Sequence, residues 1–370
     1  MSSVRTLGYS SVLAVLLFAL PGGVRGIDHL DGQLPPNTSA RPSLDLAPPP
    51  INPPSVAAMQ IPQSPQPLQV PPKARVVVVA PHPDDETLGA GGLIQRVVQQ
   101  GGAVEVLFVT NGDGYRNGVV AETKRPNLSR RDFLAYGEHR HHEALQAVSV
   151  LAHRRITSVF LGFPDDGIDD LWSDNWPETR PYRSPFTDTD HAPYEDSQQP
   201  AVEYSGVDLK RELRDLLQRF APDWVVIPDP RDRHPDHCST GGFVLDALRE
   251  LREAHVAPFT HTEVLTYLVH YPEYPGSPLW LTLIGHAGIG GSPAAQENLS
   301  HTTWLRLDLT PTEVARKREA LSRYRSQMQV MNSFLGLFVR PAEMFGHLNG
   351  TQIVTIPRDY ATRWRPHRQP

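Results

Sequence analysis

The chain has 370 residues, 39% hydrophobic and 21% charged, enough apolar content to bury a sizeable core in one large domain or two ordinary ones. A formal net charge of −6 leaves no basic excess for neutralising phosphates, so a nucleic-acid partner is not expected. Cys238 is the lone cysteine, which excludes an intrachain disulfide framework and a cysteine-built zinc site; a metal here would need histidine and carboxylate.

The amino terminus carries Arg5, then the apolar run Val12–Leu20, then the small-residue stretch PGGVRG, a pattern expected of a signal peptide over residues 1–26 and hence of an exported protein, periplasmic, cell-surface or extracellular. The run is well short of the roughly 20 residues that cross a bilayer. A cleaved signal is therefore expected over a retained anchor, with no stable membrane span afterwards. Residues 27–73 are dense in proline and almost free of aromatics, which predicts a disordered linker of partly polyproline II character, read as a spacer in preference to a ligand for proline-binding modules.

The folded part is expected to begin with ARVVVVA (74–80), whose continuous β-branched run suits a parallel strand covered on both faces. GGLIQRVVQQGG (91–102) follows as a helix bounded by glycines and AVEVLFVT (103–110) as a second buried strand, together a βαβ unit. Residues 130–151 repeat apolar positions at helical spacing, ITSVFLGF (156–163) returns as a strand, and 207–230 reads as helix then strand. The class implied is α/β, a three-layer sandwich with a mostly parallel sheet. Residues 164–206 are too polar and irregular for the core and read as a long functional loop shaping a pocket. Residues 256–300, with HYPEYPGSPLW and IGHAGIGGSP, suggest a strand end and an insertion near the site. Residues 351–370 are expected to form a C-terminal strand and tail.

Two histidine–acid clusters sit just after predicted strands: HPDDE (82–86) after RVVVVA, and HPDH (234–237) after WVVIP. Ligands of open parallel sheets bind beyond the carboxyl ends of the strands. Either cluster alone reads equally well as a solvated turn or a capping cluster, but their recurrence at equivalent strand ends favours a metal site. A catalytic zinc takes three nitrogen or oxygen ligands and one open position; His82, Asp85 and His237 would supply them. Adjacent carboxylates in an extended loop project to different sides, so Asp84 would face a metal-bound water of pKa about 7 and take its proton. Thr87 is expected to cap the following helix, and Gly89, Gly91 and Gly92 to let the backbone approach a ligand. HRHH (139–142) reads as the mixed face of an amphipathic helix. GAGG lacks the lysine and spacing of a phosphate-binding loop.

APHPDDETLGAGG with the distant RHPDH resembles the zinc-dependent PIG-L/LmbE family of N-deacetylases, which act on N-acetylglucosamine-type substrates. VTNGDGY, RHHEALQAVSVL, VFLGFPDDG, KREALSRYRSQ and RPAEMF extend the resemblance over roughly 74–350. It implies a Rossmann-like fold, His82, Asp85 and His237 as zinc ligands (Fe2+ or another divalent ion also suits them), and Asp84 as general base. It adds His234 as a catalytic group assisting the tetrahedral intermediate or the leaving amine, and Asp236 as the partner of a neighbouring histidine. Arg140, paired with Glu143 in an RxxE element, and Asp165 would touch substrate, although a structural helix pair is an equal reading for Arg140. Where some members have a tyrosine two residues before the HPDH histidine, this chain has Asp232.

The function expected is removal of an N-acetyl group from an N-acetylated sugar or glycan by zinc-bound water. The alternatives are a metal-dependent esterase or phosphoesterase, or a non-catalytic carbohydrate-binding protein on the same fold. Retention of Asp84 beside a full ligand set argues against mere binding. An exported location favours a cell-envelope or extracellular glycan.

Overall fold

The computed structural model describes residues 65–152, 156–271 and 302–359; the expected signal peptide, most of the linker and most of the 256–300 insertion lie outside them. The run Arg75–Ala80 forms strand β2, following a short edge strand β1 (Gln66–Pro67), and leads into helix α1 (Asp85–Gln99) and strand β3 (Ala103–Thr110). Helices α2 (Arg116–Thr123) and α3 (Arg130–Ala152) precede β4 (Ile156–Phe163), a short α4 (Ile168–Trp172) and α5 (Gly206–Phe220). Strand β5 (Trp224–Pro228) feeds α6 (Pro235–Glu253), and β6 (Glu263–Tyr267), β7 (Thr303–Asp308), α7 (Pro311–Leu321), α8 (Arg325–Gly336), β8 (Ala342–Leu348) and α9 (Gly350–Asp359) complete the described chain.

The strands make one sheet in the order β1-β7-β8-β6-β5-β2-β3-β4, parallel except for β8, which runs against both β6 and β7. Alternation along β2 explains why its valines are continuous. Val76 and Val78 pack with Leu93, Val97, Ala147 and Leu151 on one face, and Val77 and Val79 pack with Leu213, Leu217, Val244 and Leu248 on the other. With helices on both faces none of the four valines is wet, and each fully buried valine contributes about 1.5–3 kcal/mol. Helix α5 shows the matching logic: Ser205 Oγ accepts the Asp208 amide at 3.1 Å to start it, and Leu209, Leu213, Leu216 and Leu217 form its buried stripe.

Chain order places the site. From β2 the sheet grows through β3 to β4, then the chain returns to add β5 on the opposite side of β2. The carboxyl ends of β2 and β5 therefore border the crevice where strand order reverses, and HPDDE and HPDH are the segments that leave those two ends.

Three sequence expectations change. Residues 66–70 belong to the domain and not to the linker: Gln66–Pro67 pair with Leu305–Arg306, and Leu68 and Val70 are buried in the core. The C-terminal strand expected within 351–370 is helix α9, because Asn349 Oδ1 accepts the Gln352 amide at 2.9 Å and Gln352 Oε1 accepts the Asn349 amide at 2.9 Å. Ile353 and Ile356, one turn apart, are then buried against the sheet; residues 360–370 lie outside the described chain. Finally, the glycines after HPDDE serve packing: a Cβ on Gly89 would stand 2.3 Å from the Tyr267 ring, and one on Gly92 would stand 2.4 Å from Leu309.

Candidate active site

Helix α1 begins at Asp85, six residues before the expected Gly91, so Asp85 and Glu86 occupy its first turn, where the positive end of the helix dipole favours carboxylates. Thr87 is thus inside the helix and not its cap; its hydroxyl donates to Glu86. The cap position is Asp84, with φ 125° and ψ −28°, a backbone state that a residue with a side chain adopts only at a cost of about 1–3 kcal/mol. At the other strand end His234 caps α6, its Nδ1 accepting the Asp236 amide at 3.2 Å, which leaves its proton on Nε2.

His82, Asp85 and His237 come together, each offering one ligand atom within 4.8 Å of the others. Asp85 Oδ2 lies 3.2 Å from His82 Nδ1 and 3.2 Å from His237 Nε2. The far nitrogens of both rings face carboxylates: His82 Nε2 is 3.1 Å from Asp165 Oδ1 and 3.3 Å from Asp236 Oδ2, and His237 Nδ1 is 3.7 Å from Asp232 Oδ2. Carboxylates in those places hold protons on the outer nitrogens and turn the inner lone pairs toward Asp85. His82, His234 and Asp236 form a second group able to hold an ion, sharing His82 with the first.

Charge follows the geometry. Burial lowers the His237 pKa, but Asp85 and Asp232 outweigh it and push it up to about 9. His82 is likewise raised well above its ordinary value, burial being overcome chiefly by Asp165. Burial raises Asp85, yet the two imidazoles hold its carboxyl well below the usual range. Asp84 differs: burial drives it up, Arg140 pulls it back, Asp85 adds repulsion, and it rests at about 8. Two adjacent acids thus have opposite proton affinities.

Asp84 is clamped from two sides. Its amide donates to Glu86 Oε2 at 3.2 Å, and Tyr324 donates its hydroxyl to Glu86 Oε1 at 2.5 Å. Arg140, for which substrate contact and a structural role are equal expectations, is buried beneath the loop. It donates to Pro83 O at 2.7 Å and Gly112 O at 2.9 Å, and stands 3.5 Å from Asp84 Oδ2. Glu143 accepts the Ser326 amide and hydroxyl at 3.0 and 2.6 Å. Asp165, also expected to face substrate, is occupied by His82 and by the Gly114 amide at 2.7 Å. Asp236 accepts the Asp166 amide at 2.7 Å and the Ile168 amide at 3.1 Å, tying the turn after β4 to the second cluster.

Residues with no motif complete the site. Asp232, where a tyrosine stands in some proteins of the resembled family, accepts the amides of His234, Val269 and His270 at 3.0, 2.8 and 3.0 Å. That carboxylate brings His270 beside the cluster, its ring 5.0 Å from His234 and 4.8 Å from His237, centre to centre, and stacked on Phe334 at 5.5 Å. Burial and the neighbouring imidazoles lower His234 to about 3, and burial and His237 lower His270 to about 4. Apart from Arg140, the HRHH tract faces elsewhere: His139 pairs with Glu122 at 2.8 Å on the surface and His141 stacks on Phe160 at 3.7 Å. The 164–206 loop is packed, not loose; Tyr194 donates to Asp113 at 2.6 Å and Tyr204 to Gly162 O at 2.9 Å.

The residues fit a divalent cation. His237 is fully buried, yet neither ring nitrogen has an aligned hydrogen-bond partner despite a carboxylate oxygen 3.2 Å away, the arrangement of two ligands aimed at a shared point. Two imidazoles and a carboxylate also match the donor set of a zinc or iron ion.

This chain is similar to two curated proteins described as 1D-myo-inositol 2-acetamido-2-deoxy-alpha-D-glucopyranoside deacetylase. The one from Kineococcus radiotolerans is 34% identical over 25% of this chain and 26% of its own length, so the match spans about a quarter of that relative. The one from Corynebacterium urealyticum is 27% identical over 69% of this chain and 71% of its own. Among solved structures, the N,N'-diacetylchitobiose deacetylase of Pyrococcus horikoshii aligns at TM-score 0.45 and 19% identity over 75% of this chain and 85% of that one. The family model described as GlcNAc-PI de-N-acetylase matches residues 77–248, the span that holds both histidine–acid clusters, and the chain therefore carries a PIG-L family domain.

Proposed function

We propose that this protein is an exported, metal-dependent deacetylase that hydrolyses the N-acetyl group of an N-acetylglucosamine-type sugar or glycoconjugate. The observation that carries the reading is Asp85 Oδ2, equidistant at 3.2 Å from His82 Nδ1 and His237 Nε2, with Asp84 next to it and held at about 8. The family domain and the names of the relatives support the substrate class, and the apolar run Val12–Leu20 supports export.

His82, Asp85 and His237 would hold the cation, zinc by preference with Fe2+ also suited. Bound there, a divalent ion supplies Lewis-acid polarisation of the acetyl carbonyl and of the attacking water. Asp84 takes a proton from that water as its oxygen adds to the carbonyl carbon, and a carboxyl poised near neutrality can return it to the departing nitrogen. The C–N bond breaks, giving acetate and a free amine. His234, with its proton on Nε2, donates to the oxygen that gains charge. Arg140 and Glu86 keep Asp84 aimed, and Asp165, Asp236 and Asp232 keep the two ligand imidazoles turned inward.

The test is acetate release from a panel of N-acetylated sugars by protein of measured metal content, with and without a chelator. Release that stops on chelation and returns with Zn2+ is expected. A metal-loaded protein that frees acetate from none of them sinks the reading. Fractionation of the expressing cells tests export, which fails if full-length chain stays in the cytoplasm.

A further inference from the structure

The oxygen of an acetyl group under attack gains a full negative charge, and the walls of this site are rich in groups that cannot answer it. Asp165 and Asp232, both held below the usual carboxylate range by neighbouring histidines, present ionised carboxylates that only accept, and Asp84 is committed to the attacking water. Arg140 directs Nη1 and Nη2 to the Gly112 and Pro83 carbonyls. Among the described residues, two further imidazoles, His234 and His270, stand beside His82 and His237 and can offer ring N–H groups.

His270 is built into place. Its amide and that of Val269 are gathered by Asp232 at 3.0 and 2.8 Å, its carbonyl accepts the Arg233 amide at 3.3 Å, and Phe334 lies parallel to its ring, 17° between planes. Those contacts fix the backbone and one ring face. Its ring nitrogens meanwhile take no hydrogen bond among the described residues, and the side chain is only half-buried. A ring so constrained, edge-on to His237 at 80° and 5.0 Å from His234, is placed to serve a ligand.

We propose that His270 is a second N–H donor to the carbonyl oxygen of the scissile N-acetyl group, completing with His234 a two-imidazole oxyanion hole that Phe334 backs. The proposal rests on the deacetylase reading above. His270 touches the reacting oxygen and is a catalytic residue; Phe334 and Asp232 are positioning residues. A donor that meets the oxygen only as charge develops acts on the transition state more than on the bound substrate.

The experiment compares wild-type protein, His270→Ala, His270→Gln and Phe334→Leu on N-acetylglucosamine glycosides and their N-trifluoroacetyl counterparts, with bound metal measured for each. Affinity for a methylphosphonate analogue of the tetrahedral intermediate is measured in parallel. For His270→Ala, kcat should fall about 10²-fold with KM little changed and metal retained. Analogue affinity should fall by a comparable factor. His270→Gln, which keeps an N–H, should recover part of the loss, and Phe334→Leu should show a smaller loss in the same direction. The deficit should narrow on the trifluoroacetyl substrate, whose carbonyl needs less help. The proposal is overturned if His270→Ala keeps kcat and analogue affinity within about threefold of wild type, if its deficit is equal for both acyl groups, or if it loses the metal. A wild-type protein inactive with metal bound defeats the deacetylase reading instead, so the two failures are distinguishable.

Discussion

Tyr324 donates its hydroxyl to Glu86 Oε1 at 2.5 Å across 238 residues of chain. Through Glu86 Oε2, 3.2 Å from the Asp84 amide, that bond reaches the one residue of the HPDD loop whose backbone is strained, at φ 125°. Tyr324→Phe removes the donor, leaves a buried carboxyl less satisfied, and should destabilise the protein by about 1–3 kcal/mol in urea unfolding. If the bond also aims Asp84, kcat should fall about tenfold with KM and metal content unchanged, since a small misplacement of a proton acceptor is felt in the chemical step. A variant that loses stability but keeps kcat would restrict Tyr324 to packing.

Asp84 and Asp85 are neighbours with separable work. Asp84→Asn should keep the metal and lose about 10²–10⁴-fold in turnover, the range for removing a general base. His237→Ala should instead purify with little or no metal. Metal analysis beside acetate release separates them; a fully active Asp84→Asn protein would end the general-base assignment.

How much of this was legible in the sequence depends on where each side chain finds its partner. His82, Asp84 and Asp85 follow a run of valines directly, and HPDH follows WVVIP, so local pattern plus the geometry of parallel sheets suffices to bring them together. Arg140 and Asp165 are at the site, but helical spacing tells only that Arg140 faces inward; that its guanidinium ends on Pro83 O and Gly112 O depends on how closely α3 approaches the loop. Tyr324 lies in the KREALSRYRSQ segment, but nothing local assigns it a partner, and His270 and Phe334 lie in segments with no motif; all three enter only through packing of α8 and the end of β6. The C-terminal stretch TQIVTIP, rich in β-branched residues, reads locally as strand; the Asn349 cap and the burial of Ile353 and Ile356 decide for helix.

The ligand histidines make metal binding and pH inseparable. In the metal-free protein His237 titrates near 9, against an ordinary 6.5. A raised histidine stabilises the fold fully below 6.5, and that contribution disappears as pH climbs through 9. A cation must displace the protons on His237 and His82, so its binding strengthens over the same window and should release between about one and two protons per ion near pH 7. The gap in melting temperature between metal-loaded and chelator-treated protein should therefore widen from pH 6 to pH 9. Calorimetric titration in buffers of different ionisation enthalpy gives the proton count; a gap independent of pH would contradict this ligand set.

Glu212 offers a pH effect remote from the site. It sits on α5 with its side chain buried and both carboxyl oxygens without a hydrogen-bond partner; burial pushes its pKa up from 4.5 to about 8, with Arg211 opposing and Asp215 adding to the rise. A raised carboxyl contributes fully below 4.5, and stability is lost as pH rises toward 8, because the unfolded chain ionises there while the folded one must hold the proton or bury the charge. Glu212→Gln keeps the shape and removes the titration. The variant should stay within about 1 kcal/mol of wild type near pH 5 and exceed it by on the order of 4 kcal/mol at pH 8, from 1.36 kcal/mol per pKa unit. Urea denaturation at the two pH values measures the difference, and equal stabilities at pH 8 would mean that water reaches the Glu212 carboxylate.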